Sequence, residues 1–179
     1  MKVYVMRHGQ TDWNGLHRVQ GQTNVPLNDT GRQEAQKAAL RLADVALGHV
    51  YCSELLRARE TAEIVSGGQR YGGVACMPVA CLNEQHFGRF EGVDSRDAEL
   101  QRMRGKLCRR YEGGGESYFD VAARVYPFLD WLKTQPDDNV LLVTHNGILR
   151  VIANYFLDFE NDEFVSFGMD NCEVRCFEL

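Results

Sequence analysis

The run Met1-Lys2-Val3-Tyr4-Val5-Met6-Arg7-His8-Gly9-Gln10-Thr11 decides how the rest of the chain is read. Its first six residues are short and apolar, the pattern of a buried strand. At the mouth of that strand stand an arginine and a histidine, followed by glycine. His8 has two distinct ring nitrogens: one can attack while a backbone carbonyl fixes the other. Arg7 offers a planar fork of donors that matches a phosphoryl group. Gly9 is expected to remove a side chain where a ligand approaches the backbone.

A second run ends in the same way. Val140-Leu141-Leu142-Val143 is continuously apolar, the mark of a central strand covered on both faces, and Thr144-His145-Asn146-Gly147 follows it. In open α/β sheets, ligands bind beyond the carboxyl ends of the strands. Two histidines at equivalent strand ends would face one crevice.

Between these runs, helical and strand patterns alternate. Thr30 and Gln33 suggest a capping box before the stripe Ala35, Ala38, Ala39 and Leu42, with Gly48 ending that helix. Val50-Tyr51-Cys52 reads as a strand, and Ser53 as the cap of a helix over 54–65. Val74 to Met77 is a third strand stopped by Pro78, and the charged residues 95–111 read as a helix. Ser117 opens the longest periodic segment, which Pro127 should kink. Ile148, Val151, Ile152 and Tyr155 form another helical stripe, and residues 164–167 and 172–179 read as closing strands. The segments 12–22 and 82–92 show no period and read as loops. The alternation predicts an α/β fold with a mostly parallel central sheet.

The 179 residues are 44% hydrophobic and carry a net charge of -5, enough chain for one domain with a real core and no basic field for nucleic acid or an anionic membrane. No apolar run approaches the ~20 residues a spanning helix needs. The start lacks a signal-peptide pattern, so a cytoplasmic location is expected. An anionic substrate would need a local cluster of arginines. The six cysteines, at 52, 76, 81, 108, 172 and 176, have no metal-ligand spacing and are expected to be buried reduced thiols, with Cys172 and Cys176 on one face of a strand. Nothing in the sequence sets an oligomeric state.

Taken in order, Arg7-His8-Gly9-Gln10-Thr11-Asp12-Trp13-Asn14, Gln20-Gly21, Pro26-Leu27, Ser53-Glu54-Leu55-Leu56-Arg57-Ala58, Leu82-Asn83-Glu84-Gln85-His86-Phe87-Gly88, Gly115-Glu116-Ser117 and Thr144-His145-Asn146-Gly147 resemble the histidine phosphatase superfamily, which includes the cofactor-dependent phosphoglycerate mutases. The resemblance spans nearly the whole chain. It implies a three-layer α/β/α sandwich, one domain over 1–179, and a phospho-histidine intermediate. Carried over by residue, it makes His8 the nucleophile and Glu84 the proton donor. Arg7, Arg57 and His145 would be the cationic partners of the phosphoryl group and would keep His8 neutral. Asn14, Gln20, Gly21, Gln85, Asn146 and Gly147 would contact substrate, with the amides of Asn146 and Gly147 facing the anion. Asn24 and Phe90 depart from the usual aspartate and tryptophan on the substrate side.

No metal and no cofactor is implied, and the partner is a small phosphorylated metabolite: a sugar phosphate, a phosphoglycerate or a ribazole phosphate. Residues 88–115 would cover the site and set that choice. The mutases carry a sizeable insertion between the Glu84 and Gly115 regions, and here that interval is short, which favours a phosphomonoesterase. Arg109 and Arg110 keep the mutase alternative, since paired arginines there could bind a substrate carboxylate. A binding module for phosphate or phosphopeptides is the non-enzymatic alternative; it would have lost the nucleophile or the acid, and this chain has both.

Overall fold

Alternation in the strands explains the layers of the computed structural model, which describes residues 1–179. β4 (Asn139–Thr144) is fully buried from Val140 onward. Val140 and Leu142 face one core, and Leu141 and Val143 face another. A strand buried on both sides needs helices on both faces of its sheet. β1 (Lys2–Arg7) divides in the same way, with Val3 and Val5 on one side and Met6 on the other.

The remaining strands are β2 (His49–Cys52), β3 (Cys76–Pro78) and β5 (Val174–Glu178). The five-stranded sheet has the order β3-β2-β4-β1-β5. β1, β2, β3 and β4 pair in parallel, and β5 is an antiparallel edge on β1. On one face lie α2 (Asp29–Leu42) and α3 (Leu56–Gly67), whose alanines Ala35, Ala38, Ala58 and Ala62 allow close approach to the sheet. On the other lie α5 (Tyr118–Leu132), α6 (Asn146–Leu157) and α7 (Asn161–Ser166). The expected three-layer α/β/α sandwich is therefore present. No helix is long and apolar enough to cross a membrane.

Several local expectations are corrected. α2 begins earlier, capped by Asn28, whose side chain accepts from the Gly31 amide; Thr30 and Gln33 already lie inside it, and the helix stops at Leu42, well before Gly48. Ser53 does not cap α3 directly. Its hydroxyl donates to Asn83, while Asn24 accepts from the first helical amide, that of Leu56, at 2.7 Å. Residues 12–15 form a short helix, α1 (Asp12–Gly15), because Thr11 and Asn14 make a reciprocal cap. Ser117 does cap α5, and Pro127 lies within that helix without ending it.

The charged stretch 95–111 yields only α4 (Ala98–Arg104); it ends at Gly105. Residues 164–166 belong to α7 rather than to a strand, and Phe167 follows as its C-cap, because Glu160 and Glu163 cap the preceding turn reciprocally. Cys172 sits in a turn with φ of 55° and is buried, whereas Cys176 is exposed on edge strand β5, so the two share no buried face. Cys108 is exposed as well, and no cysteine is in a disulfide.

A third, smaller apolar cluster joins Val19 to Phe90, Leu100, Met103 and Tyr111. It ties the loop after β1 to the segment 88–115, with the Val19 amide on the Val93 carbonyl and the Gly92 amide on the Val19 carbonyl.

Candidate active site

The β1–β4 register pairs Arg7 with Thr144, which sets His8 beside His145 at the carboxyl ends of two neighbouring strands. The His8 amide donates to the Thr144 carbonyl at 3.0 Å. The two rings lie 5.1 Å apart, tilted by 57°. Both are buried, at 3% and 0% exposure.

Hydrogen bonds fix the tautomers. His8 Nδ1 lies 2.7 Å from the Gly9 carbonyl oxygen, which can only accept, so Nδ1 carries the proton and Nε2 holds the lone pair. At His145 the direction reverses. Arg57 Nε donates to His145 Nδ1 at 3.2 Å, so the proton sits on Nε2. That Nε2 is buried with no partner in the protein, as is Arg7 Nε. Buried donors without partners are costly, and an anion between them would satisfy both.

Burial, and secondarily Arg57 and Arg7, hold His8 well below the usual imidazole range. Arg57 and Arg7 thus act on His8 as expected, while desolvation, which the sequence did not show, is the larger cause. His145 is held low in the same way, by burial and then Arg57, so in the free protein it is a neutral donor and not a cation. Arg57, near the start of α3, is 1% exposed; burial lowers its guanidinium to about 10, which still leaves it charged at neutral pH. Its other nitrogens donate to the Gly21 and Thr23 carbonyls at 2.7 and 2.9 Å, pinning the loop beside the site. Arg7 Nη1 donates to the Met169 carbonyl at 2.8 Å, and Asn171 Nδ2 to the His8 carbonyl at 2.8 Å.

Glu84 enters from the loop after β3. Its Oε1 accepts from the Gln85 amide at 2.9 Å, and its Oε2 accepts from the Gly147 amide at 3.4 Å. Burial raises its pKa against the pull of those amides and of Arg57. The loop is braced from behind by Arg124, which donates to the Cys81 carbonyl at 2.6 Å and pairs with Glu116 at 2.9 Å. Glu116 in turn accepts from the His86 amide at 3.0 Å.

These groups open into a crevice of about 690 Å³. Arg7, His8, Asn14, Gln20, Gly21, Arg57, Glu84, Asn146 and Gly147 line it, as the sequence led us to expect. Three expectations fail there. Gln85 does not line the crevice, because its side chain donates inward to the Glu116 carbonyl at 3.0 Å. The first-turn amide of Gly147 is taken by Glu84, so it does not face an anion directly. Gly9 leaves room for the backbone of α2 rather than for a ligand, since a Cβ there would stand 2.5 Å from the Gly31 carbonyl oxygen.

Arg109 and Arg110 also lie outside the crevice; Arg110 pairs with Asp120 at 2.5 Å. Asn24 and Phe90 do not line it either. In their place the wall includes Arg18, Gln101, Arg104, Tyr118, Arg150 and Asn171, which sequence reasoning missed. Arg150 had a readable signal, because it stands three residues after Gly147 on the same helix face. Arg104 and Asn171 had none, since their placement depends on distant packing. No cluster of three or more His, Cys, Asp or Glu side chains is placed to hold a metal ion.

The chain is similar over 160 residues, at 32% identity, to "Phosphoglycerate mutase-like protein 4" of Arabidopsis thaliana, covering 83% of this chain and 68% of that one. It is 30% identical over 181 residues to "Probable phosphoglycerate mutase GpmB" of Photorhabdus laumondii, covering 97% and 83%. Among solved structures, a mycobacterial glucosyl-3-phosphoglycerate phosphatase superposes with a TM-score of 0.85 at 28% identity, over 98% of this chain and 88% of that one. The alpha-ribazole phosphatase of Shigella flexneri superposes with a TM-score of 0.86 at 26% identity, over 100% and 91%. The model of the histidine phosphatase superfamily (branch 1) matches residues 3–179, and with the paired strand-end histidines this chain belongs to that superfamily.

Proposed function

We propose that this chain is a phosphomonoester hydrolase acting on a small phosphorylated metabolite through a phospho-histidine, as one domain over 1–179 with residues 88–115 covering the site. The observation that carries the reading is the pair of opposite tautomers: a lone pair on His8 Nε2 beside an N–H on His145 Nε2, with the rings 5.1 Å apart. One atom can attack phosphorus while the other donates to a phosphoryl oxygen.

His8 Nε2 attacks phosphorus, and the bond from phosphorus to the alcohol oxygen breaks. An alkoxide is a poor leaving group, so Glu84, whose pKa burial raises, serves as the acid that gives a proton to that oxygen. Arg7 and Arg57 balance the charge on the phosphoryl oxygens, and neutral His145 donates a hydrogen bond to one of them. Water then attacks the phospho-histidine and passes a proton to the Glu84 carboxylate. The P–N bond breaks, phosphate leaves and neutral His8 returns.

Hydrolysis of p-nitrophenyl phosphate, with His8→Ala as the control, tests the activity. Acid-labile phosphate on the wild-type protein during turnover tests the intermediate. Relatives named phosphoglycerate mutase support a second reading, in which an acid rather than water accepts the phosphoryl group. With 3-phosphoglycerate and a bisphosphoglycerate primer, phosphate release should far exceed isomerisation; the reverse would establish the mutase. Arg109 and Arg110, the paired arginines expected to hold a substrate carboxylate in that reading, lie outside the crevice.

A further inference from the structure

The crevice carries more positive charge than one phosphoryl group needs. Five arginines line it, Arg7, Arg18, Arg57, Arg104 and Arg150, against a single carboxylate, Glu84. Elsewhere arginines are commonly matched, as with Arg32 and Glu60, Arg89 and Glu112, or Arg124 and Glu116. None of the five in the crevice forms such a pair. Asp94, whose backbone bridges to that of Arg18, directs its carboxylate to Arg96 at 2.6 Å. In a chain of net charge -5, a pocket this unbalanced concentrates anions.

The surplus has a position. Arg7 and Arg57 stand at the strand ends with the histidines. Arg150 lies one helical turn beyond Gly147, whose amide holds Glu84. Its guanidinium is fixed in place by uncharged acceptors: Nε and Nη2 donate to the Phe167 carbonyl at 3.1 and 2.7 Å, and Nη1 donates to the Tyr118 hydroxyl. Arg104, in the last turn of α4, lines the same crevice as Arg150, Tyr118 and Glu84. Glu84 protonates the leaving oxygen in the hydrolase reading, on which this step rests, so the alcohol portion of the substrate passes along this wall.

We propose that Arg104 and Arg150, with Arg18 at the mouth, form a second anion subsite, and that the preferred substrate is a phosphomonoester whose alcohol portion bears its own negative charge. Arg104 is the specificity-determining member, because its fork is not held by other protein groups and can meet a carboxylate or a second phosphate side-on.

Three phosphomonoesters built on the same three-carbon chain test it: glycerol 3-phosphate, 3-phosphoglycerate and glycerol 1,3-bisphosphate. kcat/KM should be at least about tenfold higher for one or both of the charged members than for glycerol 3-phosphate, and the better of the two identifies the second group as carboxylate or phosphate. Arg104→Gln should shrink that ratio at least about fivefold, and Arg104→Glu should invert it. Equal kcat/KM across the three, or an Arg104→Gln loss shared equally by all, overturns the subsite. Calorimetric binding of the same compounds to His8→Ala should reproduce the ratio. A protein that binds the charged members better yet hydrolyses none of the three would sink the hydrolase reading and leave the subsite standing.

Discussion

The ends of β1 and β4 are adjacent, parallel and equally buried, and each carries a histidine, yet the two rings present opposite faces of the same chemistry. At β1 the ring is fixed by the carbonyl of its own neighbour, Gly9, and presents a lone pair. At β4 it is fixed by Arg57, a residue 88 positions away in sequence, and presents a proton. Identical side chains at equivalent positions thus divide into attacker and donor by what bonds their Nδ1 atoms. Breaking the β1 end should therefore cost the most. His8→Ala should lower kcat/KM for p-nitrophenyl phosphate by about 10⁴-fold or more and abolish acid-labile labelling. Activity within about tenfold of wild type would place the nucleophile elsewhere.

The β4 end also seats the acid, through the Gly147 amide. Glu84→Gln should cost about 10³-fold on an alkyl phosphate and far less on p-nitrophenyl phosphate, whose leaving group needs no proton. A loss equal on both would remove Glu84 from proton transfer. The pH profile carries the same distinction. His8 works as the neutral nucleophile, so the acid limb of kcat/KM lies well below 6.5. Glu84 works protonated, so the alkaline limb for alkyl phosphates follows its raised pKa and disappears in Glu84→Gln.

His145→Ala removes a donor but leaves the attacker, so about a 10²-fold loss with labelling retained is expected. Absence of the label would merge the two roles. Stability sharpens this further. Both histidines titrate lower in the fold than in the unfolded chain, so the unfolded state binds protons first as pH falls below about 6.5. Their contribution is intact above that value and declines below it, by up to about 1.4 kcal/mol per pH unit for each ring. Glu84, shifted upward, opposes this over the range where the fold keeps its proton and the unfolded chain has lost it. Urea midpoints between pH 7.5 and 5 should fall less steeply in His145→Ala than in the wild type.

The strand ends were legible in the sequence because each is a contiguous motif after an apolar run, and parallel strands bring such ends to one edge. Which nitrogen carried the proton was not legible. One tautomer depends on Arg57, and its approach to β4 is a product of α3 packing on the sheet through Ala58 and Ala62. The outer wall was the least legible part. Residues 95–111 read as helix from their charge, but the chain there is held by Leu100, Met103 and Tyr111 packing on Val19, more than eighty residues away in sequence. Arg104 reaches the crevice only through that packing. At 164–167, three apolar positions in four residues could not separate strand from helix, and the glutamate cap at 160 decided for helix. Gln85 was misassigned because a motif names neighbours alike, whereas consecutive residues in an extended loop point opposite ways.

The smallest effect comes from the glycines at the two ends, and it separates fold from chemistry. A Cβ at Gly9 would stand 2.5 Å from the Gly31 carbonyl oxygen and 3.0 Å from its carbon, both backbone atoms of α2. A Cβ at Gly147 would stand 2.6 Å from Glu84 Oε1, the movable end of a side chain. Gly9→Ala must push a helix, so it should destabilise by about 1–3 kcal/mol in urea unfolding. Gly147→Ala need only displace a carboxylate; the midpoint should barely move, while kcat/KM on an alkyl phosphate falls about tenfold as the acid leaves its seat. Its ratio to the p-nitrophenyl phosphate rate should fall with it, the mild form of the Glu84→Gln pattern. If Gly147→Ala instead weakened the fold as Gly9→Ala does and left that ratio alone, the β4 end would be a packing device like its neighbour, and the acid would have to be held by the Gln85 amide without it.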